Sequence, residues 1–229
     1  MFAYNFPHKK TQDFLFHLVA KGQKPTLVIG ADPVKLDIPP HKYRYKTKNI
    51  DLLHPKEICK AFQMDYLIAH HNSDKCLKTL QEIDPDIGII AGARILKAPI
   101  IESFKTGIIN FHPGLIPEAR GLDALLWSIY RDLPVGVTAH LIDSGIDAGK
   151  IVEKREVEIR QDDSWVELNA RLYETQILML GEMASKSFLM DINSLEEVDF
   201  STNYNRTFPR ELEDELHCIF ESRKKRTNQ

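Results

Sequence analysis

The chain is short of cysteine, has no glycine in its first loop, and carries no excess charge of either sign. Only three of 229 residues are cysteine (Cys59, Cys76 and Cys218). Their spacing suits neither a zinc cage nor a disulfide framework, and an odd count fits a reducing compartment. Thirty basic against 33 acidic residues give a formal charge of −3, which carries no electrostatic footprint for nucleic acid. No apolar run reaches the ~18–20 residues that span a bilayer. The opening stretch, Met1 to Lys10, lacks the charged leader and apolar core of a signal peptide. These absences predict a cytoplasmic protein that partners neither a membrane nor nucleic acid.

What is present is apolar material: 43% of residues are hydrophobic and 9% aromatic. That is enough for one sizeable core but not for two full domains, and it excludes a disordered chain. Short apolar runs alternate with helix-like stretches and no internal repeat is evident. Strands are expected at Met1–Phe6, Thr26–Gly30, Tyr66–His70, Asp86–Ala93 and Gly107–His112. Helices are expected at Thr11–Lys21, Pro55–Phe62 and Lys75–Glu82, with a short one near Pro99. Asp32 to Asp51 reads as loop. The β-α-β rhythm with short links predicts an α/β fold, a doubly wound, mostly parallel sheet.

After Pro117 the pattern changes. Leu122, Leu125, Leu126 and Ile129 have helical spacing, and Val135–Ile142 and Lys150–Ile159 read as strands joined by a Gly/Asp turn. Ser164-Trp-Val-Glu167 is a capping box that opens a long helix to about Phe188. Phe208-Pro-Arg-Glu begins a last amphipathic helix with Leu212, Leu216 and Ile219 inward, and Arg223–Arg226 reads as a solvated basic tail. Residues 1–190 are expected to form the catalytic domain and 191–229 a short irregular extension.

Four motifs fail on inspection. The first loop, Asn5 to Thr11, contains no glycine for a dinucleotide pyrophosphate. Gly145 to Ile151 is one residue short of a P-loop and lacks its Ser or Thr. Asp143 to Lys154 has the wrong third, sixth and twelfth residues for a calcium loop. His70 and His71, placed on a strand, would point to opposite faces and not chelate together. No metal site is expected.

One constellation survives. In Gly107-Ile-Ile-Asn-Phe-His-Pro, Asn110 and His112 lie two apart on a predicted strand, so the pleat sends both side chains to one face. They stand at its carboxyl end, where open α/β sheets bind ligands. The Asp143–Gly149 turn adds a carboxylate. An amide, an imidazole and a carboxylate suit acyl or formyl transfer to an amine. Taken singly, each element also reads as an ordinary polar strand end or a tight turn.

The ordered set Asp86-Ile-Gly-Ile-Ile-Ala-Gly-Ala-Arg-Ile-Leu96, Ile109-Asn-Phe-His-Pro-Gly-Leu-Ile-Pro117, Arg120-Gly121, Gly136-Val-Thr138 and Asp143-Ser-Gly-Ile-Asp-Ala-Gly149 resembles the 10-formyltetrahydrofolate-dependent formyltransferases. The resemblance implies that Asn110 hydrogen-bonds the formyl oxygen. It implies that His112 polarises that oxygen and stabilises the tetrahedral intermediate. Asp147 would orient His112 or a water and take up the proton. Backbone at Arg94, Ile95 and Leu96, with the turn from Ile142 and Asp143, would hold the pterin of 10-formyltetrahydrofolate.

Among the family's branches, the expected acceptor is a nucleotide-linked amino sugar, as in bacterial sugar N-formyltransferases that serve lipopolysaccharide O-antigen biosynthesis. His8, Lys9 and Lys10 at a helix start would attract its phosphate, and Tyr173 and Gln176 share a face able to meet the acceptor. The runner-up is a glycinamide ribonucleotide formyltransferase, from which the glycine-free first loop and Gly114, in place of a serine, depart. Methionyl-tRNA formyltransferases are disfavoured here because length and charge leave no room for an added RNA-binding domain. A formyltetrahydrofolate hydrolase and a folate- or nucleotide-binding module without turnover stay open. A homodimer through the C-terminal region is a further expectation.

Overall fold

The computed structural model describes residues 1–34, 42–43, 51–143, 147, 149–185, 194–198 and 204–226. Most of the stretch read as loop between Asp32 and Asp51 lies outside them. Three strands, β1 (Phe2–Tyr4), β2 (Leu27–Ala31) and β3 (Asp65–Ile68), pair in parallel in the order β1-β2-β3. A second set runs β4 (Ile87–Ile89), β5 (Gly107–His112), β6 (Gly136–Ile142), β7 (Gly149–Glu156) and β8 (Glu196–Glu197). A parallel bridge from Phe2 to Ile90 joins the two, so the order reads β3-β2-β1-β4-β5-β6-β7-β8. Pairing is parallel from β3 to β5 and antiparallel beyond; between β6 and β7 the connection is too short for a crossover.

Helices cover both faces, as the doubly wound reading requires. α1 (Lys9–Ala20) and α2 (Pro55–Ala61) pack on one side, where Leu15, Val28, Ile58 and Cys59 meet. α3 (Asp74–Ile83) and the short α4 (Ala98–Ile101) cover the other through Cys76, Leu80, Ile100 and Phe104. The largest core joins α1 to α5 (Ala124–Tyr130), α6 (Trp165–Ser185) and α7 (Glu213–Arg226) around β5 and β6. α6 opens on a reciprocal capping box. Ser164 N donates to Glu167 Oε2 at 2.7 Å, and Glu167 N donates to Ser164 Oγ at 3.3 Å, an arrangement that contributes about 1 kcal/mol. Among the described residues no helix is long and apolar enough to cross a membrane.

Several sequence expectations need amendment. The run Asp86–Ala93 yields a strand of only Ile87–Ile89. The chain then leaves β5, and the amides of Ala91 and Gly92 turn to the carbonyl of Phe2. His71 is not on a strand: β3 ends at Ile68, and Nε2 of His71 lies 3.1 Å from the carbonyls of Ala3 and of Ile29. Leu122 precedes α5 and is 59% exposed. Arg223 to Arg226 form the last turn of α7 rather than a solvated tail. Arg223 donates to the carbonyls of Ser128 and Leu133, and Arg226 pairs with Asp132.

α7 is therefore part of the fold. Its Phe220 is fully buried and lies 4.3 Å, centroid to centroid, from the Trp165 ring at the start of α6. Phe220→Ala is expected to destabilise the protein by about 3–5 kcal/mol in denaturant unfolding. A loss under 1 kcal/mol would mark α7 as a loosely attached segment.

Candidate active site

The carboxyl end of β5 and the turn after β6 bring three polar side chains together. β5 alternates so that Ile109 and Phe111 enter the main core while Asn110 and His112 share the opposite side. Antiparallel pairing sets Asn110 opposite His140 and His112 opposite Thr138. The β6–β7 turn then places Asp147, whose φ is +42°, over that strand end. Left-handed backbone is unusual away from glycine, and Asp is among the residues that tolerate it.

Asp147 Oδ1 lies 3.3 Å from His112 Nδ1 and 3.5 Å from Asn110 Nδ2, and Oδ2 accepts from the Gly121 amide at 2.9 Å. His112 directs Nε2 at the Ala119 carbonyl, 2.8 Å away. A carbonyl can only accept, so Nε2 carries a hydrogen and Nδ1 is the nitrogen turned to the carboxylate. Asn110 Nδ2 also lies 3.2 Å from Nε2 of the fully buried His140. The amide's 3.5 Å reach to Asp147 is at the limit of a hydrogen bond, so that hydrogen is the one a substrate carbonyl would compete for.

Burial pushes the Asp147 carboxyl upward, but His112, His140 and the Gly121 amide outweigh it and hold the group down to about 2. It is therefore ionised at neutral pH, and a carboxylate held so low is a weak base. Its suitable work is to orient His112 and to attract a cationic amine.

Two peptide segments support the carboxylate. Gly121 has φ of +92°, and a Cβ there would sit 2.3 Å from the Asn205 carbonyl oxygen, so only glycine allows this close approach. Asn205 N donates to Arg120 O and Leu122 N donates to Asn205 O. Thr138 Oγ1 donates to Gly114 O at 2.8 Å and accepts from Ile116 N at 3.0 Å. Ala119, Gly121, Thr138 and His140 were not singled out from sequence as site residues. The first two act through backbone, which leaves no side-chain signature. His140 was legible only as the residue facing Asn110 once β5 and β6 pair.

A cleft of about 930 Å3 opens at His112 and Asp147, and His8, Lys9, Lys10, Tyr173 and Gln176 line it. The five residues expected to meet the acceptor thus reach the same hollow, although their partners differ from expectation. His8 caps α1, with Nδ1 accepting from Thr11 N at 3.4 Å. Burial first, then Lys10, lowers its imidazole to about 4. Lys9 pairs with Asp13 and lies 4.7 Å over the Tyr173 ring. Tyr173 donates to Asp13 Oδ2 at 2.7 Å, and burial together with that carboxylate raises its hydroxyl pKa. Lys10 turns inward, to the carbonyl of Phe111 at 3.1 Å.

The residues expected at the donor lie outside this cleft. Ile95 is 64% exposed and its carbonyl accepts from Asn72 Nδ2. Leu96 is buried against α3 and α4, and Ile142 packs at the edge of the same cluster. Asp143 closes β6 at the start of the turn. Arg94 borders a separate hollow of about 170 Å3 with Tyr4, Phe6, Asp32 and Asn72.

An open α/β sheet with a carboxylate, an imidazole and an amide at one strand end belongs to the class that handles ligands at sheet termini. A family model described as formyl transferase matches residues 38–182, and the chain belongs to that family. Over 160 residues it is 29% identical to a methionyl-tRNA formyltransferase of Thermodesulfovibrio yellowstonii, which covers 68% of this chain and 49% of that protein. The chain thus spans about half the length of the curated relatives it matches, so length does not separate the family's branches.

The fold is similar to phosphoribosylglycinamide formyltransferase from Anaplasma phagocytophilum, with a TM-score of 0.62 at 17% identity over 89% of this chain and 95% of that one. It is also similar to the formyltransferase PseJ from Anoxybacillus kamchatkensis, solved in complex with UDP-4,6-dideoxy-4-formamido-L-AltNAc and tetrahydrofolate. There the TM-score is 0.53 at 24% identity, over 86% of this chain and 93% of that one.

The depressed Asp147 carboxyl has a consequence for stability. Because its folded value of about 2 lies below the ordinary 3.8, its contribution is present above about pH 4 and is lost as pH falls through the folded value. Asp147→Asn is expected to remove a term of order 2 kcal/mol that wild type shows at neutral pH and loses towards pH 2. Parallel unfolding curves for the two proteins from pH 7 to 2 would contradict the described contacts.

Proposed function

We propose that this protein transfers a formyl group from 10-formyltetrahydrofolate to a primary amine, and that the amine belongs to a nucleotide-linked amino sugar. The observation that carries the first half is the meeting of Asn110, His112 and Asp147 at one strand end, beside the cleft that His112 and Asp147 line, in a chain of the formyl transferase family. In the reaction a C–N bond forms between the acceptor amine and the formyl carbon, the C–N bond to the donor breaks, and the donor nitrogen regains a proton. Asn110 Nδ2 and His112 Nε2 supply hydrogens to the formyl oxygen as negative charge develops there. His112 exchanges its Ala119 partner for that oxygen, and such contacts commonly tighten only with substrate present. Asp147 orients the imidazole and draws in the ammonium form of the acceptor, whose proton then passes to water.

The donor set fits a formylated folate. The site has hydrogen donors for one carbonyl oxygen, and the backbone at Arg94–Leu96 and Ile142–Asp143 is proposed to hold the pterin.

The second half rests on the cleft. Its volume of about 930 Å3 falls in the range of pockets for sizeable ligands, and His8, Tyr173 and Gln176 form one wall with Lys9 at its edge. Gly114 favours this branch over the purine one. A Cβ at position 114 would sit 2.7 Å from Ala119 O and 2.9 Å from His112 Nε2, so a serine there would push apart the contact that holds the imidazole. The PseJ complex with a UDP-linked formamido sugar is a fold-level precedent. A homodimer and a role in O-antigen synthesis accompany this reading as proposals.

His112→Ala and Asp147→Asn are expected to lower kcat by about 10²–10⁴-fold in proteins that remain folded at pH 7, although each loses the stabilisation of the His112–Asp147 contact. An activity loss that merely follows unfolding would make both residues structural. A panel of amino-sugar nucleotides, glycinamide ribonucleotide and methionyl-tRNA, offered with the formyl donor, tests the acceptor. Formyl uptake by a sugar nucleotide is the expected result. Uptake confined to another amine would replace the acceptor, formate release without any amine would make the protein a hydrolase, and donor binding without turnover would make it a binding module.

A further inference from the structure

Among the described residues, Lys10 is the lysine of the cleft whose ammonium turns inward to the sheet. It sits in the first turn of α1 and is half-buried, and its Nζ donates to the Phe111 carbonyl at 3.1 Å and lies 5.1 Å from the Phe14 ring centroid. Phe111 separates Asn110 from His112, so the ammonium fastens the very peptide that carries both side chains. It also shares the cleft with Asp147. A lysine serving an acceptor phosphate would keep its head at the cleft mouth, hydrated and free to move. This one is spent on a strand carbonyl.

We propose that Lys10 is a positioning residue for formyl transfer: its ammonium clamps the Asn110–His112 segment of β5 to the start of α1 and balances the charge of Asp147. The proposal rests on the formyl-transfer reading and replaces the phosphate role expected from sequence. Its physical basis is a charged donor on a carbonyl in a desolvated place, where such a bond is stronger and stiffer than in water. The groups facing Lys10 are His8 and Phe14 from its own segment, Phe111 and His112 from β5, and Asp147 from the turn after β6. From α6, Tyr173 lines the same cleft beside Lys9 and its partner Asp13. Burial lowers the Lys10 ammonium to about 8, against the pull of Asp147 upward. The clamp is then mostly charged at neutral pH and weakens as pH rises past that value.

The test separates three roles. With saturating donor, Lys10→Met is expected to lower kcat by about ten- to a hundredfold with acceptor KM within threefold, and Lys10→Arg to recover most of the loss. Wild-type kcat should decline as pH passes about 8, and Lys10→Arg should move that decline upward. A raised acceptor KM at unchanged kcat, relieved by salt, would return Lys10 to phosphate binding. A lowered melting temperature with unchanged kcat would leave only packing. Both results overturn the proposal.

A titration independent of turnover covers a variant that fails to fold. In the full-length protein labelled at lysine 13Cε, one lysine signal should titrate near pH 8, well below the others, and Asp147→Asn should move it lower still. The lack of any such signal, or no response to Asp147→Asn, overturns the proposal by itself. Wild type that forms no formamide with any amine sinks the formyl-transfer reading, and the lysine titration still decides whether Lys10 lies in the field of Asp147.

Discussion

The carboxylate of Asp147 is the point on which the site turns, because its two oxygens face different parts of the chain. One oxygen meets His112 and Asn110 on β5, and the other is fixed by the Gly121 amide. Burying an anion is costly unless every lone pair finds a donor. The loop that brings Gly121 is therefore as necessary as the strand that brings the imidazole. That loop is held by Thr138 at one end and by Asn205 at the other. Phe208 N, which donates to Asp123 Oδ2, adds another stitch. Residues 204–226 thus belong to the machinery that keeps the carboxylate in place, however far they lie from it in sequence.

The sheet supplies the second constraint. Up to β5 the strands are parallel and end on one edge, which gathers backbone polar groups where ligands bind. At β6 the direction reverses, so its carboxyl end lies beside the start of β5, with Leu141 opposite Ile109, and Asp147 beyond it lies back along the sheet against His112. The reach of Asp147 back to Asn110 and His112 is what lets these sequence-distant groups meet.

Much of this was legible because it is local. The two-residue period on Gly107–His112 placed Asn110 and His112 on one side, and Ser164-Trp-Val-Glu167 marked the start of α6 within a residue. The Gly/Asp turn announced a hairpin. What stayed hidden depends on tertiary approach. Backbone groups such as Gly121 N, Ala119 O and Phe111 O leave no mark in a sequence, and nothing in Lys9-Lys10 tells which lysine turns inward. Arg223–Arg226 looked like a tail because charge runs usually are, whereas the carbonyls ending α5 and the Asp132 carboxylate make it a dock. Asp86–Ala93 was read too long because apolar continuity does not say where a strand leaves its neighbour.

At the start of α1 the side-chain contacts differ from those the sequence suggests. A helix N-terminus beside two lysines suggests an anion trap. Here the end is already capped by the His8 side chain, whose imidazole is lowered to about 4 and stays neutral at working pH. Lys9 is matched by Asp13, which Tyr173 also holds, and Lys10 is committed to β5. The local charge is neutralised by groups of the same fold, and this cross-brace adds to the apolar packing of α1 on α6. Under the proposed function, an acceptor meeting this wall would find a neutral imidazole, a tyrosine ring and the buried Gln176. Selection would work through hydrogen bonds and ring contact, which discriminate shape more sharply than a free cation. The partner that an ammonium-bearing acceptor would need is an anion, and the Asp147 carboxylate at the same cleft is one.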